Sequence, residues 1–540
     1  MFTIPGSQLP DCLRRDNLTS PYFPSLTRAG LAAVVTLCAI FALTSFNRLN
    51  HTDLWGHLDF GRWIVQHQAL PTHDPFSAAP TSAPVLNAAW LSQVIGYGVH
   101  STFGNEGLVF GHALLVTLTA GAVMLAVARR GIDGRFAVAA GAAMFLLELP
   151  IAGTIRPQLF GQLGAALVLL ACSELPTKRH PLLWLPVVGM LWANLHGSIL
   201  IGLAILGSYA LSITFQVLRE TGFSVAASWK EPRIVTMAAA VLLLLAGACI
   251  NPHGPLLLPR ILFFGEHAAL AYISEWKAMA PASLTGVLLI GSLLVAACLW
   301  KYGGRTWELH DYLLLALFAL ATLSAIRMLA WYAIVWPWIV LPHAARLVSG
   351  EWLVASGRPS TDDHSPLTTH HSPDEPAAMR TLIAMGCVFA TAILAPPTYS
   401  LVTGNARGEV PVASRETPVH LADQIERLNL SGKVAAPMDW ADYLIYTSQG
   451  RLKPLIYGHI HLSRVETFED YRRIFRGEET WLRTLQNHDV RYLLVSRERF
   501  GQLAKLVSAE SRAKAGRVRV VYHDQKAILA ELMPTRELDL

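Results

Sequence analysis

The chain has 540 residues, of which 53% are hydrophobic and only 15% charged, with a formal net charge of +5 at neutral pH. Soluble globular proteins carry about 25% charged residues, so this composition excludes an ordinary water-soluble enzyme. Nothing in the charge pattern calls for a nucleic-acid partner, and no cysteine follows Cys387, which excludes a disulfide framework or Cys-rich metal site in the tail.

A membrane-spanning helix needs roughly 20 apolar residues. Such runs lie near 27–46, 107–128, 134–150, 156–174, 181–196, 198–218, 233–250, 283–300, 311–326, 328–346 and 381–397. The predicted fold class is therefore a polytopic α-helical membrane protein with about 11 transmembrane helices and a soluble C-terminal α/β domain. Basic residues fix the expected orientation, because cytoplasmic loops are enriched in Lys and Arg. Arg14 and Arg15, Arg129 with Arg130 and Arg135, Lys178 with Arg179, Arg219 with Lys230 and Arg233, Lys301 with Arg305, and Arg346 all fall on the side of the N-terminus if the runs alternate. That places the N-terminus in the cytoplasm and, after an odd number of spans, the tail outside.

The predicted division is a cytoplasmic segment 1–26, a transmembrane domain 27–350 with a large first outer loop 47–106, a disordered cytoplasmic linker 351–379, a last span within 380–400 and an extracytoplasmic α/β domain 404–540. The linker is rich in Ser, Thr, Pro and His, and its His370 and His371 read as a solvated tract. In the tail, alternation and helical periodicity predict helices over 418–429, 439–448, 466–475, 478–488 and 498–510, and strands near 432–436, 453–457, 490–495, 517–523 and 526–531. Asp439 is placed as an N-cap, and His459 and His461, after a strand, are expected at the surface, with contact to a ligand as the alternative.

The first outer loop is longer than a connector requires, and long ordered loops are often functional. Asp53 and His57, four apart, share one helical face with Gly61 one turn on. Trp55, Leu58, Phe60, Trp63 and Ile64 would give that helix a membrane-interface surface. Pro71 and Asp74-Pro75 then break the helix and present His73 and Asp74 in a turn. Asn87, Trp90 and Gln93 open a second amphipathic stretch. Later outward ends carry Arg156-Pro157-Gln158, Asn194-Leu195-His196-Gly197, Asn251-Pro252-His253-Gly254, Glu275-Trp276 and Arg327, whereas the inward loops show no comparable aromatic–carboxylate–histidine sets. Ionisable groups at span boundaries are costly unless paired or facing water. Arg156, Arg327 and Glu275 equally suit a structural ion pair, Asn194 and Asn251 suit helix-end caps, and the tryptophans suit an interfacial belt.

Asp53-Leu54-Trp55-x-His57, Gly61-Arg62-Trp63-Ile64 and Leu70-Pro71-x-x-Asp74-Pro75-Phe76-Ser77 resemble the first outer loop of a bacterial group of GT-C-like membrane glycosyltransferases. Arg156-Pro157-Gln158, Trp192-Ala193-Asn194-Leu195-His196-Gly197, Asn251-Pro252-x-Gly254, Glu275-Trp276 and, in the tail, Asp439-Trp440-Ala441-Asp442-Tyr443-Leu444 are similar to further motifs of that group. Two positions depart from it: Gly56 stands where a second Trp is common, and Ala89 where an acid precedes the Trp. The resemblance implies transfer of a sugar from a polyprenyl-phosphate donor to an envelope acceptor, with inversion, on the outer face of a bacterial inner membrane. It makes Asp53, His57 and Asp74 the catalytic candidates, and Arg156, Asn194, His196, Asn251, His253, Glu275, Arg327 and Trp90 the substrate- and phosphate-binding ones. No cofactor is required by this reading, although Asp53, His57, His73 and Asp74 are a donor set for a possible divalent metal. A non-enzymatic transporter, or a lipid-binding or scaffold protein of an envelope pathway, remains the alternative.

Overall fold

The computed structural model describes residues 26–49, 53–79, 84–263, 270, 272–303, 306–349, 377–407, 413–414, 417–514 and 516–533. The predicted segment 1–26 and linker 351–379, with His370 and His371, lie outside these apart from Leu26 and residues 377–379.

The membrane part comprises α1 (Arg28–Ser45), α2 (Asp53–His67), α3 (Trp90–Ala128), α4 (Gly134–Glu148), α5 (Gln158–Glu174), α6 (Pro181–Leu195), α7 (Ile199–Glu220), α8 (Pro232–Ala248), α9 (Leu284–Tyr302), α10 (Leu309–Ser324), α11 (Leu329–Ser349), α12 (Ala377–Leu394) and α13 (Pro396–Thr403). All eleven apolar runs read from the sequence are helical. Among the described residues, five helices can cross a membrane by length and composition, and a sixth is formed if Met379–Leu394 and Pro396–Thr403, bent by 69°, count as one span. Four further apolar helices, α5, α6, α8 and α10, are shorter.

Local chemistry explains the boundaries. Thr27 and Ser283 cap α1 and α9 through their side-chain oxygens, and Pro232 opens α8, where its missing N–H costs nothing. In α3 the chain kinks at Gly104 (φ 62°), separating an amphipathic first part from the apolar remainder. Pro396 and Pro397 break α12 from α13. Helices α6 and α8 pack backbone to backbone: a Cβ on Gly189 would lie 2.3 Å from the Leu244 carbonyl, and one on Gly247 2.0 Å from that of Pro186. Likewise, a Cβ on Gly61 would lie 2.1 Å from the Gln93 carbonyl, so α2 and α3 touch through Gly61. Gly61→Ala is expected to cost about 1–3 kcal/mol, because backbone must shift to admit the methyl group; thermal unfolding of the purified chain in detergent checks this.

The tail forms one five-stranded sheet from β1 (Gly432–Ala435), β2 (Leu452–Pro454), β3 (Tyr492–Ser496), β4 (Val518–His523) and β5 (Ala527–Leu532), in the order β2-β1-β3-β5-β4. The first three strands are parallel, and β5 pairs antiparallel with both β3 and β4. Helices α14 (Val419–Arg427), α15 (Met438–Thr447), α16 (Val465–Arg476), α17 (Trp481–Asn487) and α18 (Gly501–Glu510) complete the domain. All five predicted helices and all five predicted strands are present. Asp439 is a correction: Pro437 holds the N-cap position, and Asp439 sits in the first turn of α15 paired with Arg499.

This domain is seated on α2, which overturns the expected membrane-interface surface of that helix. Trp55, Leu58, Phe60 and Ile64 are buried, and Trp55, only 2% exposed, meets Tyr443 and Tyr446 of α15 at 5.0 and 5.3 Å between ring centroids. Leu54, Trp55, Leu58, Trp440, Tyr443 and Leu444 belong to one shared apolar core. A protein domain, rather than lipid, covers the apolar side of α2. Arg407, following α13, reinforces the junction by pairing with the buried Glu106 of α3 at 2.7 Å.

Polar residues also gather at the opposite end of the bundle, where α10 begins and α11 ends. Asp311 accepts from His343 Nε2 at 3.1 Å and from the Glu308 backbone N–H at 2.9 Å, while Trp307 stacks on His343 at 4.5 Å. His310, Asp311 and His343 are almost wholly buried. The expectation that no such set exists on that side is therefore corrected. Asp311→Ala would leave several of these groups unpartnered and is expected to lower stability by about 3 kcal/mol, measurable as an unfolding-midpoint shift in detergent.

Candidate active site

Asp53 opens α2, and its carboxylate accepts from Arg156 Nη2 at 2.7 Å. Arg156 stands in the turn just before α5 and also donates through Nη1 to Glu275. The other Glu275 oxygen pairs with Arg327 Nη1 at 3.4 Å, and the Arg327 guanidinium lies 4.4 Å over the Trp276 ring. Four segments distant in sequence thus form one alternating chain, Asp53–Arg156–Glu275–Arg327. Arg156 is 12% exposed and the other three 23–29%, so the group is sheltered but reachable. Arg156, Glu275 and Arg327 line a cleft together with Thr154, Glu148 and Gln162.

His57 stands one turn along α2 from Asp53. Asn87 Nδ2 donates to Gln93 Oε1 at 2.7 Å, which leaves the Gln93 Nε2–H to donate to His57 Nδ1 at 3.2 Å. That direction of donation puts the proton of neutral His57 on Nε2. Burial lowers the His57 pKa to about 4, against the opposing pull of Asp53, so the ring is a neutral donor near pH 7. His196 lies in the electrostatic field of Arg327 and Arg156, with its Nδ1 2.7 Å from Ser198 Oγ.

The remaining candidates separate by environment. Asn194 is buried and ties three elements together: its Nδ2 donates to the carbonyls of Met190 and Ile250, and its Oδ1 accepts from Trp90 Nε1 at 2.8 Å. Trp90 therefore anchors the start of α3 to the end of α6. Asn251 closes the turn after α8, donating to the Ala248 and Gly254 carbonyls and accepting from the His253 N–H. His253 lies within electrostatic reach of Arg260. Asp74 stands apart from Asp53: its Oδ1 accepts from the N–H groups of Phe76 and Ser77 at 2.9 and 3.3 Å, and Tyr457 of the tail neighbours its carboxyl. His73 is exposed, with Nδ1 3.0 Å from Thr72 Oγ1. Among the described residues, no three His, Cys, Asp or Glu side chains converge in a metal-sized group, so Asp53, His57, His73 and Asp74 are not brought together.

Other groups near the site escaped the sequence reading. Asp59 is buried and paired with Arg62, whose Nη1 donates to the Tyr446 carbonyl at 3.2 Å. His459, expected at the surface, is half-buried between the tail and α2: its ring lies 5.1 Å from that of His57 and 4.7 Å from Phe60, and desolvation there lowers its pKa to about 3. Its position depends on how the tail docks, for which its neighbours in sequence give no signal. Gly56, which departs from the resembled group, has a local reason: a Cβ there would lie 2.2 Å from Asp442 Oδ1.

No protein-family profile matches the sequence, and no curated protein matches it. Solved structures do match in shape. The oligosaccharyltransferase AglB of Archaeoglobus fulgidus, in complex with an inhibitory peptide and a dolichol-phosphate, superposes with a TM-score of 0.53 at 13% identity, over 89% of this chain and 71% of that one. The Archaeoglobus fulgidus oligosaccharyltransferase tethered to an acceptor peptide gives 0.51 at 13% identity, with the same coverage. ArnT from Cupriavidus metallidurans bound to undecaprenyl phosphate gives 0.47 at 14% identity, over 92% of this chain and 97% of that one. The chain therefore shares its fold with the Archaeoglobus fulgidus oligosaccharyltransferase, in line with the fold expected from the resemblance to GT-C-like proteins.

Proposed function

We propose that this protein is a membrane glycosyltransferase that moves a sugar from a polyprenyl-phosphate donor to an envelope acceptor on the outer face of a bacterial inner membrane. The observation that carries the reading is the pair of guanidiniums, Arg156 and Arg327, held on Glu275 in a cleft of a GT-C bundle beside the carboxylate of Asp53. Guanidinium forks suit phosphate oxygens, and alternating ion pairs keep them preorganised while the donor is absent.

In this reading the donor phosphate enters the cleft and takes over Arg156 Nη2. Asp53, released from its guanidinium partner, becomes more basic and accepts the acceptor hydroxyl proton. The acceptor oxygen bonds to the anomeric carbon as the carbon–oxygen bond to phosphate breaks, and the electron pair leaves with the phosphate. Arg156 and Arg327 balance the charge that develops there. A single displacement of this kind inverts the anomeric centre. His57, with its proton on Nε2, acts as a neutral donor to a sugar or phosphate oxygen.

The rest of the topology follows the charge distribution. Eleven spans, a cytoplasmic N-terminus and an outer C-terminal domain put the Asp53 cluster on the outer surface, with the domain as a lid over α2. The test is transfer by the purified chain in lipid nanodiscs offered labelled polyprenyl-phosphate sugars. Saturable donor binding, lost in an Arg156→Met/Arg327→Met variant, is expected. No binding of any polyprenyl phosphate by a folded protein would sink the proposal.

A further inference from the structure

The C-terminal domain meets α2 through a notch that only glycine leaves open. At Gly56, an added Cβ would lie 2.2 Å from Asp442 Oδ1 and 3.3 Å from His459 Cε1. Gly458 makes the same allowance from the domain side: its Cβ would lie 2.6 Å from Asp442 Oδ2, to which its N–H donates at 2.8 Å. Asp442 is 0% exposed, and its Oδ1 has no hydrogen-bond partner among the described residues.

The charges facing Asp442 are mostly of its own sign. Helix α2 presents Asp53 and Asp59, one turn to either side of Gly56, together with His57; the segment after β2 presents Tyr457 and His459, with Asp74 behind Tyr457. Asp53 has Arg156 and Asp59 has Arg62, but no cation pairs with Asp442 among the described residues. A charged carboxylate without a counter-ion is strongly disfavoured in such a place, whereas a neutral carboxyl fits it.

We propose that Asp442 is a positioning residue of the site: seated in the Gly56 notch, its carboxyl fastens the C-terminal domain to α2 and so holds Asp53 and His57, which flank the notch. The consequence for Asp53 rests on the transferase reading; the docking does not. Burial, and then the Asp53 and Asp59 charges, raise the docked carboxyl well above its ordinary range. The docked form therefore keeps a proton that the undocked form gives up in mild acid. Docking is strongest below the ordinary carboxyl value and weakens as pH rises toward the raised one. Asp59 responds in the same sense, so a variant of Asp442 itself is needed to isolate its share.

The experiment uses the full chain in detergent, without donor or acceptor. Hydrogen exchange of the peptide spanning Asp53–His67, corrected for intrinsic rate, is followed between pH 5 and pH 9. Wild type is expected to lose about tenfold in protection across that range. Asp442→Asn keeps the shape and the acceptor for the Gly458 N–H but has no proton to lose; it should stay protected with a markedly flatter profile. Gly56→Ala should lose protection at every pH, and Gly56→Ala/Asp442→Ala should regain part of it by vacating the notch. A wild-type slope in Asp442→Asn, or a double variant no better than Gly56→Ala, would overturn the assignment. Absence of transfer by wild type would count against the proposed function but leave this result standing.

Discussion

Asp53→Asn is expected to lower the transfer rate by about 10²–10⁴-fold, the usual contribution of a positioned general base, while leaving donor binding nearly unchanged. The amide oxygen can still accept from Arg156 Nη2, so the ion-pair chain loses a charge but keeps its geometry. Loss of rate without loss of donor affinity separates a chemical role from a structural one. A folded Asp53→Asn protein transferring sugar at the wild-type rate would remove Asp53 as the base.

Arg156→Met is expected to damage both stability and donor binding. Arg156 bridges Asp53 and Glu275, and its removal leaves the first without this cation and the second with only Arg327 at 3.4 Å. Breaking a fully buried ion pair costs 3–5 kcal/mol; with the two carboxylates 29% and 23% exposed, roughly 2–3 kcal/mol is expected here. Donor affinity should fall by at least about tenfold, since a charge-assisted phosphate contact is lost. Arg156→Lys should rescue stability in part and binding poorly, because an ammonium lacks the fork that spans two carboxylates. Unfolding midpoints and donor titrations read the two effects separately, and unchanged donor affinity in Arg156→Met would refute the phosphate role.

The two ends of the bundle differ in a way that bears on function. The Asp311–His343 set is sealed from solvent, with side chains 0–1% exposed. In the Asp53–Arg156–Glu275–Arg327 set, Arg156, Glu275 and Arg327 line a cleft, and all four side chains are partly exposed. Ion pairs that must open to admit a ligand belong at an accessible boundary; those that only fix helix ends can be sealed.

Composition and local periodicity alone determined the membrane class, the eleven apolar helices, and each helix and strand of the tail, because each rests on residues within a few positions of one another. They also gathered Asp53, Arg156, Glu275 and Arg327 as polar residues at the ends of apolar runs, the set that the structure brings together at one end of the bundle. Tertiary structure alone decided which of these residues touch. Asp74, only 21 positions from Asp53, turns its carboxyl into its own loop, while Arg156 and Glu275, 103 and 222 positions away, complete the chain. The apolar side of α2 suited lipid or protein equally well, and packing of α15 upon it settled the choice. Gly56 reads as a departure from a pattern until Asp442, 386 positions later, is seen to occupy the space a side chain would need. Burial, pairing and close approach depend on partners that folding brings from far along the chain, and those partners leave no mark on the residues beside them.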